Sequence, residues 1–306
     1  MVMSALSPST LTALRAAHAA AAVHRRFFRR LERVEYKRRN DPVTEADRAA
    51  EEAVVGILSE AYPSHAILGE EGGQQGASPT KGEEAAQTWL VDPLDGTSNY
   101  ARGIPWFCVS IALHEQAAPA ARRESHEGGG GAAGIVLGVI LNPIIGEVYA
   151  AERGRGTFAA SLTDLPSDPA AWGDLAPWRR LHVSPVAAMA DAGFATGFPH
   201  NVVDTKINID HFVNIRLETA VVRAIGSAAL ALAYVAAGHL EGYWEIGPKA
   251  WDFGAGMVIV EEAGGRISDL RGRPLAGPDA GQLLATNGAI HEAAVAVFAR
   301  GKSGLG

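Results

Sequence analysis

The chain has 306 residues, 47% of them apolar, and a formal net charge of -7. That is enough for one large domain or two modest ones with a substantial core. The acidic balance shows no basic face, which argues against nucleic acid or an anionic membrane as a direct partner. One cysteine, Cys108, excludes an intrachain disulfide or a Cys-rich zinc site and fits a reducing cytoplasm.

Taken in chain order, residues 8–33 have helical composition, with Ser7 as cap and Pro8 at the first helical position, or Ser9 as the alternative cap. The Ala-rich part of this stretch is broken by Arg15 and His18 and runs into Arg25, Arg26, Arg29 and Arg30. It does not read as a signal peptide, and no apolar run has the length of a membrane span. A second helix is expected from Thr44 to just before Pro63. Residues 67–71 form a short strand end, 72–87 a polar Gly-rich loop, and 88–92 a strand running into a turn. An antiparallel block follows over 107–114, 134–142 and 147–152. Residues 115–131, with four consecutive glycines, form an expanded hairpin loop; no Gly-Lys-Ser/Thr follows, so it is not a P-loop. Residues 162–180 read as a second irregular insert.

The remainder alternates: strand 191–196, helix 208–217, strand 220–225, helix 227–237 stopped by Gly238, strand 242–245, helix 251–263 ended by Gly264 and Gly265, strand 283–286 and helix 290–300. This predicts an α/β class, with an α+β first half (1–182) and an α/β second half (183–306).

The segment Asp92-Pro93-Leu94-Asp95-Gly96-Thr97 is the first candidate site. Pro93 and Gly96 impose an irregular backbone on which Asp92 and Asp95 can converge. Converging carboxylates repel unless protonated or bridged by cations, and magnesium takes such hard oxygen ligands. The amides of Gly96 and Thr97 would favour a phosphate if they open a helix. A solvated Asp-Gly turn fits the local pattern as well. The same ambiguity holds elsewhere. Glu70 and Glu71 could be surface acids, Asp252 a plain helix cap, and Asp47 the closing residue of a capping box with Thr44. Lys37 by itself reads as a solvated side chain.

Their joint occurrence in this order resembles the inositol monophosphatase family. The run from Trp89 through Asp92-Pro93-Leu94-Asp95-Gly96-Thr97 to Tyr100 carries the resemblance, as does Trp251-Asp252 followed by Glu261-Glu262-Ala263-Gly264-Gly265. Gly69-Glu70-Glu71, the Asp41 to Asp47 element and Gly226-Ser227-Ala228-Ala229 add to it. The match extends from about residue 30 to about residue 295.

The resemblance implies a layered αβαβα sugar-phosphatase fold and two magnesium ions. Glu70, Asp92 and the carbonyl of Leu94 would hold one, and Asp92, Asp95 and Asp252 the other. A third, weaker ion would lie by Glu70. Thr97, oriented by Asp47, would position a metal-bound water for direct in-line attack without a phospho-enzyme, and Glu70 would share in catalysis. Gly96 and Thr97 would bind phosphate through their amides, with Gly226, Ser227 and Ala228 on the substrate side and Glu245 on a substrate hydroxyl. Lys37, Glu71 and Lys249 are further candidates; Lys249 stands where other members often carry His.

The implied activity is hydrolysis of a small polyol or sugar phosphate. Inositol-1-phosphate leads, because Phe198-Pro199-His200 and residues 100–105 look more like the inositol branch. Fructose-1,6-bisphosphate, histidinol phosphate and 3′-phosphoadenosine 5′-phosphate are the alternatives. The resemblance also implies a homodimer and lithium sensitivity. A regulatory protein that binds the transcription machinery is the competing class.

Overall fold

The computed structural model describes residues 5–38, 40–76, 87–116, 134–275 and 281–301. The expected loop over 115–131 and the later part of the Gly-rich loop at 72–87 lie largely outside these residues.

Helix α1 (Pro8–Phe27) starts as the sequence indicates: the Ser7 hydroxyl caps the Thr10 amide at 3.2 Å, with Pro8 in the first turn. It ends at Phe27 rather than near residue 33. Phe27, Phe28 and Leu31 fold over buried Tyr100 and Phe107, and Arg29 takes a positive φ of 60°. A hairpin then forms from β1 (Val34–Arg38) and β2 (Asp41–Thr44), which the sequence reading did not anticipate. Thr44 caps α2 (Glu45–Ala61), where expected.

The large sheet is built from β3 (Ala66–Gly69), β4 (Gly73–Gly76), β5 (Gln87–Asp95), β6 (Cys108–Glu115), β7 (Ile135–Asn142), β8 (Glu147–Glu152), β9 (Gly156–Ser161) and β10 (Arg179–Arg180). The short helix α3 (Thr97–Ala101) follows β5. The strand order is β10-β9-β8-β7-β6-β5-β3-β4, antiparallel except for the parallel β3–β5 pair.

The remaining elements are β11 (Gly193–Thr196), α4 (Val202–Thr205), α5 (Ile209–Glu218), β12 (Val221–Arg223), α6 (Ala228–Ala236), β13 (Gly242–Ile246), α7 (Ala250–Glu262), β14 (Arg266–Ser268), β15 (Gln282–Thr286) and α8 (His291–Phe298). Their five strands pair in the order β12-β11-β13-β15-β14.

Three apolar clusters fill the four spaces between five layers, the central one spanning both sides of α6 and α7. Alanines of α1 and apolar residues of α2 pack on one face of the large sheet through Trp89, Val91, Val109 and Ile111. Helices α6 and α7 fill the space between the sheets, with Leu230, Leu232, Phe253 and Val258 all buried. Beyond the small sheet, α5 and α8 cover Phe194, Trp244 and Leu284. The order is therefore αβαβα, as the resemblance implied. Helix α7 lies very close to the large sheet: a Cβ on Gly138 of β7 would stand 2.5 Å from the Ala255 carbonyl oxygen.

The segment 162–180 is more ordered than expected. It holds a 3-10 turn at Pro169–Ala171 capped by Asp168 and the sheet-edge strand β10. It also buries Trp172 and Trp178 in the cluster under α1. Those two indoles supply the apolar area that a solvated insert would lack. Among the described residues no helix is long and apolar enough to cross a membrane.

Candidate active site

Strand β5 ends in a bulge. Asp92 pairs with Ser110 and Asp95 with Cys108, so three steps on β5 oppose two on β6. In a regular strand residues three apart face opposite sides; one extra residue turns them to the same side. Asp92 and Asp95 are both buried and line one cavity of about 300 Å³. The strand thus runs through the segment that the sequence presents as a turn. Gly96 then takes φ 98°, which a side chain would disfavour, and caps α3. The amides of such a first helical turn have no acceptor within the helix.

Other elements bring the rest. Glu70 leaves the end of β3 beside β5, with its amide on the Val91 carbonyl at 3.1 Å. Asp252 and Glu245 enter from α7 and β13, and both line the same cavity with Glu70, Leu94, Thr97, Gly226, Ser227 and Ala228. Tyr243 donates its hydroxyl proton to Glu245. Gly197 leaves room for this carboxylate, since a Cβ there would lie 2.2 Å from Glu245 Oε1. A second cavity of about 530 Å³ adjoins the first and carries Lys37, Arg38, His200, Lys249 and Trp251. Glu71 lines neither cavity and is held by Lys37.

Asp47 serves two ends. Its Oδ2 accepts the Thr44 amide and hydroxyl at 2.8 and 2.6 Å, which closes the capping box. Its Oδ1 accepts the Thr97 hydroxyl at 2.9 Å, while the Leu94 carbonyl is a second acceptor for that hydroxyl at 3.0 Å. Asp95 receives the Ser227 hydroxyl at 2.6 Å and the Ala229 and Ala228 amides at 2.7 and 3.2 Å. Ser227 and Ala228, expected on the substrate side, therefore also hold Asp95.

Three anchors were missed in the sequence. Asn99 Nδ2 donates to the carbonyls of Trp106 and Ile225 at 2.7 and 2.8 Å, tying α3 to the turn before α6. His24 Nε2 contacts the Pro93 carbonyl at 2.8 Å from beneath the bulge. Glu51 grips the turn that carries Glu70 and Glu71. Only the glycines at 69 and 72 hinted at that contact.

The electrostatics are those of crowded, desolvated acids. Burial raises Asp92 well above the usual carboxylate range, and the charges of Glu70, Asp95 and Asp252 push the same way. Burial also raises Asp252 well above its ordinary value, with Glu245 adding to it. Asp95 is pushed up to about 6 by burial, against the hydrogen bonds from Ser227, Ala229 and Ala228. Glu245 rises to about 7 and Asp47 to about 6, both mainly by burial. Glu70 is raised by burial although Lys37 pulls it down. Half-burial works against the charged form of Lys37, but the hydrogen bond to Glu71 and the charges of Glu70 and Glu71 outweigh it and hold the ammonium above its ordinary value.

Among the described residues no three His, Cys, Asp or Glu side chains are already drawn to ligand spacing round one point. The Lys37 ammonium instead sits on Glu70 at 3.2 Å. The donor set nevertheless fits hard cations: oxygen ligands only, buried, mutually repelling and opening on one cavity. Glu70, Asp92, the Leu94 carbonyl, Asp95 and Asp252 are the groups that could hold them.

The sequence model of the inositol monophosphatase family matches residues 5–121 and 131–302. The chain is 40% identical over 277 residues to the Nus factor SuhB of Pseudomonas aeruginosa, covering 87% of each chain. It is 38% identical over 258 residues to an inositol-1-monophosphatase of Mesorhizobium japonicum, covering 84% of this chain and 80% of the relative. The crystal structure of the extragenic suppressor protein suhB of Bartonella henselae superposes with a TM-score of 0.78 at 34% identity, over 96% of this chain and all of that one. Motifs, layers and carboxylate cluster agree with these matches: the chain belongs to the inositol monophosphatase family, a family of metal-dependent phosphatases.

Proposed function

We propose that the protein hydrolyses a small polyol or sugar phosphate monoester, with inositol-1-phosphate the leading substrate, in a magnesium-dependent reaction. The observation that carries this reading is the cluster of buried, mutually repelling acids facing one cavity beside the first turn of α3. Glu70, Asp92 and the Leu94 carbonyl would hold one magnesium, Asp92, Asp95 and Asp252 a second, with a third and weaker place beside Glu70. Bound there, magnesium supplies Lewis-acid chemistry, acidifying a water and neutralising charge on the phosphoryl and leaving oxygens.

The chain's own groups do the rest. The amides of Gly96 and Thr97 orient the phosphoryl oxygens. The Thr97 proton is committed to Asp47 Oδ1 or the Leu94 carbonyl, so Thr97 Oγ1 is free to accept from the attacking water and fix its line of approach. As the water oxygen bonds to phosphorus, the ester P–O bond opposite breaks and its electron pair leaves with the alkoxide. The proton lost by the water passes along Thr97 Oγ1 to Asp47 Oδ1, and solvent protonates the alkoxide. No side-chain nucleophile is needed, and charge stabilisation with positioning carries the rate. Glu245, raised to about 7, can both accept from and donate to a substrate hydroxyl near neutral pH. Lys249 and His200 border the adjoining cavity, where the rest of the substrate would extend.

A released-phosphate assay over inositol-1-phosphate, fructose-1,6-bisphosphate, histidinol phosphate and 3′-phosphoadenosine 5′-phosphate, with magnesium and with a chelator, tests the reading. Magnesium-dependent release, fastest from inositol-1-phosphate, is expected; no release from any of the four would end it.

A second reading, binding to the transcription machinery, rests on the relatives named Nus factor SuhB. The intact set of Glu70, Asp92, Asp95 and Asp252 favours catalysis. A homodimer is part of the same proposal. Ile104, Trp106, Ile144 and Ile145 are exposed on two turns joined by the Asn142–Pro105 hydrogen bond, and a second copy would cover them.

A further inference from the structure

We propose that Glu51 is a positioning residue that fixes Glu70 at the metal site, so that one face of α2 aligns both the water-orienting threonine and a metal ligand. This rests on the metal-site reading above. Glu51 is only 4% exposed and lies four residues after Asp47, one turn along the same helix face. It is not among the residues lining either cavity. Its Oε2 accepts the Glu71 amide at 2.8 Å, and its Oε1 accepts the Gly72 amide at 2.7 Å and Gln75 Nε2 at 2.8 Å. A buried carboxylate is costly unless donors meet both oxygens; here three do, and such bonds to a charged acceptor are the strong kind.

The backbone is shaped to admit this carboxylate. A Cβ on Gly69 would lie 2.8 Å from Glu51 Cδ, and one on Gly72 would lie 2.5 Å from Glu51 Oε1. Both glycines flank the acidic pair Glu70-Glu71. The turn is thus pinned on two sides. The Glu70 amide is bound to the Val91 carbonyl of β5, and the next two amides are bound to Glu51. These three bonded amides hold the turn from which the Glu70 side chain reaches Asp92. One turn earlier on the helix, Asp47 fixes Thr97. One helical turn, a rigid spacer, thus joins the holds on the proposed ligand and on the oriented hydroxyl, alongside the bond to β5.

The test is magnesium binding to the substrate-free protein by titration calorimetry, comparing the wild type with Glu51→Gln and Gly72→Ala. In Glu51→Gln an NH₂ group faces a backbone donor, so the turn must shift while the helix keeps its length. Gly72→Ala crowds the same carboxylate and serves if the first variant folds poorly. Both should weaken magnesium binding by about tenfold or more, the usual scale for groups that orient a metal ligand. The magnesium concentration for half-maximal turnover should rise in parallel, with kcat at saturating magnesium close to the wild type. A merely structural role would lower the active fraction and leave the half-saturating concentration unchanged. Unchanged magnesium affinity in both variants, with the wild type binding normally, overturns the inference and leaves the metal site standing. A wild type that binds no magnesium overturns both.

Discussion

Helices α2 and α7 begin alike and serve the site differently. Each places an aspartate at the third helical position, Asp47 and Asp252, and each aspartate accepts the amide of the cap residue through Oδ2, from Thr44 at 2.8 Å and from Lys249 at 2.7 Å. In this backbone bond the two are alike. In α2 the other oxygen holds the Thr97 hydroxyl, and the cap is reinforced by the Thr44 side chain. In α7 the aspartate lines the cavity. A capping box occupies one oxygen of a carboxylate, and the second remains available for chemistry. The bland reading and the proposed functional one are therefore compatible in these residues.

The largest effect should come from removing the charge at α7. Asp252→Asn keeps an oxygen for the Lys249 amide, so the helix start survives. Turnover at saturating magnesium should fall by about 10²–10³-fold, the scale of losing one preorganised charge-stabilising group. The metal-free protein should be no less stable, because a buried, repelled carboxylate has gone. Steady-state kinetics with a thermal melt checks both, and near-normal turnover would leave Asp252 as a cap alone.

Asp47→Asn should cost about 10²-fold in kcat, as expected for a misaligned proton acceptor, while the magnesium dependence stays where it was. A shift in the half-saturating magnesium concentration would instead mean that the two aspartates share one role.

The third effect is on pH. Asp92, Asp95, Asp252 and Glu70 are raised in the folded protein, Asp95 to about 6. The folded state therefore holds these protons more tightly than the unfolded chain. The stability they confer is present below the ordinary carboxylate range and is lost as pH rises through the folded values. Magnesium at these acids, as proposed, would replace the lost protons. The magnesium-induced rise in Tm should be small near pH 5 and largest at pH 8; buried histidines such as His24, lowered to about 4, cancel in this difference. A rise independent of pH would place the cations elsewhere.

The smallest effect separates the caps themselves. Thr44→Ala removes a side-chain cap and should cost about 1 kcal/mol in a denaturant melt. Lys249→Ala keeps the backbone bond and should change stability by less than about 0.5 kcal/mol.

How much was legible depended on periodicity. The main helices and the strands of the antiparallel block were readable because their apolar spacing matches their burial. The β1–β2 hairpin was not, since Glu35, Lys37, Arg38 and Pro42 show no alternation: β1 is half-buried to exposed while β2 is buried from Pro42 to Thr44. Strands β4, β9 and β14 were missed as well; β4 is Gly and Gln inside the stretch read as a loop, β9 is mostly small residues, and β14 has three residues. At the site, the candidate acids were visible in the motif, but the bulge that puts Asp92 and Asp95 on one side is a property of pairing with β6. Glu51 was invisible because an acid on a helix reads as a solvated face; what buries it lies some twenty residues away. Trp172 and Trp178 were a neglected signal, because two indoles in a segment of Pro, Asp and Ser have to pack somewhere.

The close approach of Gly138 to Ala255 has a genetic consequence. Asp252 sits one turn before Ala255 on a helix that rests backbone-first on the large sheet, so a single added methyl at residue 138 would lift the helix and carry Asp252 away from Asp92. A screen for loss of function would recover such a substitution among its catalytic hits, although the altered residue lies in the middle of a strand and bears no functional group. For this protein a map of inactivating alleles would trace the interlayer glycines as clearly as the acids.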